Sequence, residues 1–379
     1  MYSKQVFSQS VVNLFIIVGM LSVILLGGAN SAMAKSIKPI TFDDCQKLTP
    51  IAMAEKSEYV MNSYNYLLKV TDEISDSTLR KMTADYLKNP VASVLQRFTA
   101  DADKEILKQQ LVVAGYVKAD ATYDQFLPPV ADPQKPAQPF YSAPGSGYMS
   151  HHAYPGGLVT HTAANVKIAL GIYDAYKDVF HFAADKDIML ASEILHDMNK
   201  PWVFQWQPDY SLTSQYAVAG TGSHHILSIA EAIYRGFPKE VIVAMACAHT
   251  PPYSKNDEKQ IVDWIKAAAM IAGKDPVAMG LLSEQGNTLP HPLAIEGYIT
   301  HLGDHDFILT EPMSTVIVGK LNDIAKSEYG MSESDLNSAK FNAFRDYVLS
   351  QATTEGLYHV LVTKGDAALI DNVKALVTK

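Results

Sequence analysis

Residues 195–201 read LHDMNKP, and the adjacent His196 and Asp197 within this stretch decide how the chain is interpreted. Imidazole nitrogens and carboxylate oxygens together suit iron, manganese, zinc and related divalent ions. Neighbouring helix residues point about 100° apart, so the two side chains can hardly grip one ion symmetrically. At a helix end, however, the imidazole can bind one ion while the carboxylate reaches between two ions. The pair therefore predicts a metal site.

Further ligand-type residues lie on both sides of this pair. Residues 151–162 read HHAYPGGLVTHT, and residues 222–226 read GSHHI. The complete set that we predict to bind metal is His161, His196, Asp197, His225, His249 and Asp304. His224 is the alternative to His225. His301 and His305 are four residues apart on one helix face, so they could bind an ion themselves or orient Asp304.

Helical periodicity dominates the segments that carry these residues, and strand signals are scarce. The pattern predicts helices over residues 155–172, 187–196, 223–235, 239–249 and 292–307. Ser223 is expected to be an N-cap, and Gly236 is expected to end its helix. Ligands at helix ends and on inward faces are typical of a metal site in a helical bundle. The expected fold is therefore all-α.

The ordered set of residues resembles the HD-domain family of metal-dependent phosphohydrolases. The HHAYPGG motif at residues 151–157 is similar to one branch of that family, which includes bacterial 3′–5′ exoribonucleases. The resemblance implies an HD-type helical bundle that holds two divalent transition-metal ions, with iron or manganese favoured and zinc, nickel, cobalt or magnesium as alternatives. It implies a first ion among His161, His196, Asp197 and Asp304, and a second ion among Asp197, His225 and His249.

The resemblance also implies roles in catalysis and substrate binding. Family members often carry His-Asp-x-Gly-Lys, in which the lysine contacts a substrate phosphate. Here Asn199 replaces the glycine, and asparagine still tolerates a left-handed backbone. Asp197 and Lys200 are the implied catalytic residues, with a surface position as the alternative for Lys200. The candidate substrate-binding residues are Lys200, His151, His152 and Tyr154, and the alternative for the histidines is to stabilise the turn at Gly156 and Gly157.

The expected reaction is metal-assisted hydrolysis of a phosphoester or phosphoanhydride bond, by a phosphodiesterase or nucleotidase acting on a small phosphorylated substrate. A diiron oxygenase of similar helical fold is one alternative, because it shares the ligand order. A non-catalytic metal-binding module is another. The aromatic residues Trp202, Phe204, Trp206 and Tyr210 could stack on a substrate ring, but a role in the core is preferred.

Composition and the chain start add further expectations. With 31 basic and 40 acidic residues, the net charge of −9 does not favour duplex nucleic acid as a partner. Lys4, the apolar run 11–27 and the small residues Ala32 and Ala34 predict a signal peptide cleaved after Ala34, and hence a periplasmic protein with no membrane association after cleavage. An uncleaved anchor is the alternative. Cys45 and Cys247 are expected to be free thiols, and no oligomeric state is implied.

Four segments are predicted. They are a signal peptide over residues 1–34, an N-terminal helical region over 35–140, an HD-type metal-binding catalytic domain over 141–310, and a C-terminal helical extension over 311–379. The first region ends in a proline-dense linker, residues 127–136 (LPPVADPQKP), which cannot continue a helix.

Overall fold

A computed structural model describes residues 38–379, so the predicted signal peptide of residues 1–34 lies outside the described residues. Helices make up almost all of the regular secondary structure in the described part of the chain, and the all-α prediction is confirmed. Residues Thr41–Lys379 form one compact unit. The domain boundaries expected at 140 and 310 stay predictions.

The N-terminal part consists of short and medium helices. They are α1 (Phe42–Cys45), α2 (Pro50–Lys56), α3 (Glu58–Thr71), α4 (Ser77–Lys88), α5 (Asp101–Val113) and α6 (Tyr123–Phe126), with 3₁₀ turns at Ser93–Arg97 and Phe140–Ser142. Four of these helices start at side-chain caps, since Thr41, Thr49, Ser57 and Asp76 each accept a backbone N–H of the first turn.

The central part carries the predicted ligands. Its helices are α7 (Gly157–Phe180), α8 (Lys186–Leu195), α9 (Lys200–Val203), α10 (Ser223–Arg235), α11 (Lys239–Ala246), α12 (Lys255–Ala272) and α13 (Ile295–Gly303), followed by a 3₁₀ turn at Asp304–Asp306. The C-terminal part contains α14 (Phe307–Tyr329), a 3₁₀ turn at Asp335–Asn337, α15 (Ala339–Ala352) and α16 (Thr354–Leu376), and α16 is kinked at Gly365.

Helix packing builds the core around the predicted metal ligands. α7 lies against α3, α8 and α13, while α8 also contacts α11, and α10 packs along α12. Trp202 and Trp264 are among the largest fully buried side chains. One cluster of buried apolar residues includes both Ala54 in α2 and Ile299 in α13, so the N-terminal helices and the central helices share one core.

A small hairpin sets the entry of the chain into α10. Strands β2 (Ala217–Val218) and β3 (Thr221–Gly222) pair antiparallel, with left-handed backbone at Ala219 and Gly220. Positive φ at both central residues is the signature of a tight hairpin turn that matches strand twist. The other strands, β1 (Ile40–Thr41) and β4 (Val377–Thr378), are equally short.

Several helix boundaries differ from those predicted. Gly222 is the N-cap of α10, so Ser223 is its first helical residue, whereas Gly236 ends the helix in the left-handed conformation as expected. α11 ends at Ala246 and not at residue 249. The helix predicted over 292–307 is split, because α13 ends at Gly303 and a 3₁₀ turn precedes α14.

The stretch expected to be a linker is free of helix between residues 127 and 139. Cys45 and Cys247 are both buried and free, as predicted, and burial raises the pKa of the Cys247 thiol to about 12. Within residues 38–379, the structure contains no helix that combines the length and apolar character needed to span a bilayer.

Candidate metal centre

The adjacent His196 and Asp197 follow directly after α8. Asp185 caps the start of this helix by accepting the backbone N–H groups of Asp187 and Ile188. The helix ends at Leu195, and His196 is its C-cap. The pair therefore lies at a helix end, as the sequence predicts, where the two side chains can turn toward the same interior space.

Four side chains form a first group, which consists of His161, His196, Asp197 and Asp304. The Nε2 atoms of His161 and His196 each lie 3.1 Å from Asp304 Oδ1 and 3.3 Å from Asp197 Oδ2. Two ligands bound to one ion at about 2.0–2.2 Å are separated by roughly 2.8–3.6 Å for octahedral to tetrahedral angles. The spacing of the first group is therefore that of ligands around a single ion.

The orientation of His196 supports the same conclusion. His196 Nδ1 lies 2.7 Å from the carbonyl oxygen of Glu193, which can only accept, so Nδ1 carries a proton. In a neutral imidazole the lone pair of Nε2 then faces the carboxylates of Asp197 and Asp304. Both oxygens of Asp197 are buried, and Oδ2 lies close to the nitrogens of Lys200, His161 and His196. A cation between these atoms would satisfy them all, and the donor set suits a divalent transition metal.

The pKa values of His161 and Asp197 also indicate that the first group requires positive charge. Burial lowers the pKa of His161, as does the charge of Lys200, yet hydrogen bonding to Asp197 and Asp304 raises it to about 10. Burial alone would raise the pKa of Asp197, but Lys200 and His196 hold it well below its usual range. In the protein alone, protons on imidazoles thus balance the carboxylates, and a metal ion would replace those protons.

A second group consists of Asp197, His224 and His249. His224 Nε2 lies 3.6 Å from Asp197 Oδ1, and His249 Nε2 lies 3.8 Å from Asp304 Oδ2. The Nδ1 atom of His224 is 2.6 Å from the amide oxygen of Gln215 and carries the proton, so its Nε2 is available as a ligand. Burial lowers the pKa of both histidines, which keeps them neutral.

The structure does not place His225, the histidine chosen from the sequence, in this group. Its Nε2 atom lies 3.3 Å from the carbonyl oxygen of Ala246, and its ring stacks on that of His249, with the ring centroids 4.1 Å apart. His225 therefore packs against His249, while His224 is the histidine of α10 that lies close to Asp197. Residues adjacent on a helix face different directions, and α10 turns His224 toward Asp197.

Lys200 lies inside the site and not at the surface, with 4% of its area exposed. Its ammonium group is 2.5 Å from Asp197 Oδ2 and also donates to the carbonyl oxygen of Gly145. His301 and His305 belong to neither group. His301 Nδ1 is 2.8 Å from the carbonyl oxygen of Ala248, so it contacts the backbone beside His249, whereas an orienting role toward Asp304 stays a prediction.

The HHAYPGG motif packs against the first group through its histidines. His151, His152 and His161 are close enough to share an ion, and the Nδ1 atoms of His151 and His152 are 3.3 Å apart. Tyr154, predicted to bind substrate, is instead fully buried, and its hydroxyl is 2.9 Å from that of Thr160. A Cβ on Gly157 would lie 1.8 Å from the carbonyl oxygen of His152, which explains the need for glycine there.

Three polar residues near the site were missed in the sequence. Asn165 donates to Asp304 Oδ1 at 3.2 Å. Glu193 is fully buried, and burial raises the pKa of its carboxyl to about 8. Asp306 lies 3.5 Å from His152 Nε2. The positions of Asn165, four residues after His161, and Glu193, three before His196, were the available signals, because such spacings bring side chains near a helical ligand. Asp306, two residues after Asp304, carried no such signal.

The aromatic segment after Lys200 is structural. Trp202 and Phe204 are buried, and the indole N–H of Trp202 donates to the carbonyl oxygen of Pro128. Trp206 donates to the carbonyl oxygen of Ser142, and the Tyr210 hydroxyl contacts the carbonyl oxygens of Gln46 and Leu48. These contacts agree with the preferred core role.

Comparison with known proteins finds one informative relative. The chain is 28% identical over 205 residues to a dihydroneopterin 2′,3′-cyclic phosphate phosphodiesterase of Methanocaldococcus jannaschii, covering 53% of this chain and 67% of that protein. No family model matches the chain. No solved structure matches it either.

Proposed function

We propose that this protein is a metal-dependent phosphohydrolase of the HD-domain type, which uses two metal ions to hydrolyse a phosphoester bond in a small substrate. The observation that carries the proposal is the first group, in which two imidazole nitrogens and two carboxylates surround one buried point at ligand spacing. Similarity to a protein named as a phosphodiesterase supports the same reaction class.

The two groups supply the proposed ligands. His161, His196, Asp197 and Asp304 would hold one ion, and Asp197, His224 and His249 would hold the other. Ions in these positions supply positive charge for a phosphoryl group and lower the pKa of water, with iron or manganese favoured. Asp197 belongs to both groups, so its proposed role is to hold the two ions together.

Charged residues of the chain then act on the substrate. Lys200 is proposed to stabilise negative charge on a phosphoryl oxygen, since its ammonium group lies at the carboxylate shared by both groups. Asp197 remains ionised, because Lys200 and His196 outweigh the effect of burial on its pKa. A strongly acidic carboxyl group is a poor base, which makes proton acceptance the weaker of its two predicted roles.

His151 and His152 are proposed to contact the substrate as neutral donors. Burial and the positive charge of His161 lower the pKa of His151 to about 2 and that of His152 to about 3. Neutral imidazoles can donate hydrogen bonds to phosphate oxygens without adding charge. Cyclic phosphodiesters are the first substrates to consider, since the relative is named for one. A cleaved signal peptide at 1–34 would place the enzyme in the periplasm.

Metal analysis combined with a phosphoester screen tests the proposal. The purified protein is loaded with Mn²⁺ or Fe²⁺ and assayed with bis-(p-nitrophenyl) phosphate, 2′,3′-cyclic nucleotides and phosphomonoesters. We expect about two ions per chain and hydrolysis of at least one phosphodiester. Asp174→Ala, an exposed substitution in α7, is the control that should change neither result.

Two outcomes would contradict the proposal. Full metal content without hydrolysis, together with oxygen consumption by the diiron form, would favour the oxygenase. Absence of bound metal after loading would favour a non-catalytic helical module.

A further inference from the structure

The loop that carries the two histidines is held by the C-terminal helices. We call residues 145–152 the His151 loop. Glu311 in α14 accepts hydrogen bonds from the Ser150 hydroxyl at 2.9 Å and from the backbone N–H of His151 at 2.8 Å. Ser314, one turn further along α14, donates to the carbonyl oxygen of Ser150 at 3.3 Å. One helix thus fixes both the backbone and a side chain of the loop.

The other two C-terminal helices contact the same loop. Glu355 in α16 has Oε1 3.3 Å from His152 Nε2, and His152 is 3% exposed. In α15, Asn342 accepts a hydrogen bond from the Tyr148 hydroxyl at 2.7 Å. The buried guanidinium of Arg345 lies 4.8 Å from the centre of the Tyr148 ring.

The backbone of the loop requires such support. Met149 has a φ of 67° and His152 has a φ of 52°, although neither residue is glycine. Left-handed conformations at such residues are costly, and they persist only where the surroundings enforce them. The contacts of Glu311, Glu355 and Arg345 are placed at these residues or beside them.

The loop is also connected to the chemistry of the site. The carbonyl oxygen of Gly145 accepts a hydrogen bond from Lys200, which in turn lies at Asp197. At the other end of the loop, the ring centroids of His151 and His152 are 5.5 and 5.2 Å from that of His161. A shift of the loop would therefore displace two imidazoles and one partner of the ammonium group.

We propose that Glu311 and Glu355 are positioning residues, through which the C-terminal helices hold the His151 loop in the geometry needed to bind the substrate phosphate. The role in substrate binding rests on the proposed function, whereas the positioning of the loop does not. Both carboxylates act through the loop and bind neither metal group.

Glu311→Ala and Glu311→Gln provide the test, because glutamine keeps an oxygen that can accept the His151 N–H. Hydrogen exchange of residues 145–152, metal content and kcat/KM for the phosphodiester found in the screen are measured on the metal-loaded full chain. Glu311→Ala should speed exchange of the loop and lower kcat/KM by about tenfold, with metal content unchanged. Glu311→Gln should restore most of both. Glu333→Ala, which removes an exposed ion pair with Lys326 in the same region, is the matched control and should resemble the wild type.

The proposal is overturned if loop exchange in Glu311→Ala equals that of the control. It is equally overturned if exchange rises without a change in kcat/KM, or if activity falls only in proportion to lost metal. Glu355→Ala, expected to act in the same direction, carries the test if Glu311→Ala does not fold. If the metal-loaded wild type hydrolyses nothing, the proposed function fails, and the exchange measurement alone still decides whether Glu311 positions the loop.

Discussion

The two groups of ligands share Asp197 but differ in spacing, burial and charge. In the first group, nitrogen–oxygen distances are 3.1–3.3 Å, and the neighbouring carboxylates raise the pKa of its two histidines. In the second group the distances are 3.6 and 3.8 Å, its histidines are neutral, and the His249 side chain is 24% exposed. A tight, charged and buried group suits an ion held at a fixed position, whereas the looser second group is partly open to solvent at His249.

Asp197→Ala should have the largest effect, because Asp197 is the one member common to both groups. We expect loss of most bound metal and a fall in kcat of at least about 10³-fold, since the metals supply several kcal/mol of transition-state stabilisation. Mass spectrometric metal analysis and a phosphodiester assay measure both quantities. Retention of either group's ion with normal activity would contradict the shared role.

His224→Phe and His225→Phe compare two neighbouring histidines of α10 while keeping a ring at each position. His224→Phe should lose about one ion per chain and about 10²-fold in kcat, because it removes a nitrogen from the second group. His225→Phe should retain both ions and most activity, since His225 is not a member of the second group and a phenyl ring can still stack on His249. The reverse result would restore His225 as the ligand.

The affinities of the two groups for metal should depend differently on pH, because metal binding displaces protons from the first group. His161 has a pKa of about 10 in the metal-free protein, and the pKa of His196 lies well above its usual range. Protons must leave both, so affinity for the first ion should rise with pH, about tenfold per pH unit for each proton displaced. The second ion should show little dependence above about pH 7, because the pKa values of His224 and His249 are lowered. Calorimetry in buffers of different ionisation enthalpy counts the protons released, and no release with the first ion would contradict this assignment.

Gly303→Ala should have the smallest effect of the substitutions near the ligands. It should lower the stability of the protein beside the first group. A Cβ at this position would lie 2.6 Å from Oε2 of the buried Glu193, next to Asp304. Overpacking of this kind costs about 1–3 kcal/mol. Gly171→Ala in α7 has nothing within 4 Å of its Cβ, and it should stabilise the protein by about 0.5–1 kcal/mol. Thermal unfolding distinguishes the two, and equal shifts would contradict the packing argument.

Local patterns predicted the helical fold, and the resemblance to the HD-domain family grouped the four residues that the structure brings together in the first group. Helix periodicity placed His161 on an inward face, and the adjacent His196 and Asp197 were correctly expected at a helix end. The choice between His224 and His225 depended on the rotation of α10 against Asp197, which tertiary packing decides. Likewise, no local pattern indicates that the Tyr154 hydroxyl forms a hydrogen bond with the hydroxyl of Thr160.

The C-terminal helices show a different limit of sequence reasoning. Acidic residues in such helices are usually solvated, so the sequence does not distinguish Glu311 and Glu355 from ordinary surface residues. Their contacts join residues about 160 and 200 positions apart in the chain, and only the folded structure brings them together. Long-range pairs between ordinary residues leave no periodic pattern.

The proline-dense stretch before Tyr141 is a constraint on protein engineering. The carbonyl oxygen of Pro128 accepts the indole N–H of Trp202, and the Gln138 amide donates to the carbonyl oxygens of Pro201 and Phe204. Replacing this stretch with a flexible glycine–serine spacer, or cloning a fragment that starts at residue 141, would leave these buried groups without partners a few residues after His196 and Asp197. An expression fragment should therefore begin ahead of α1.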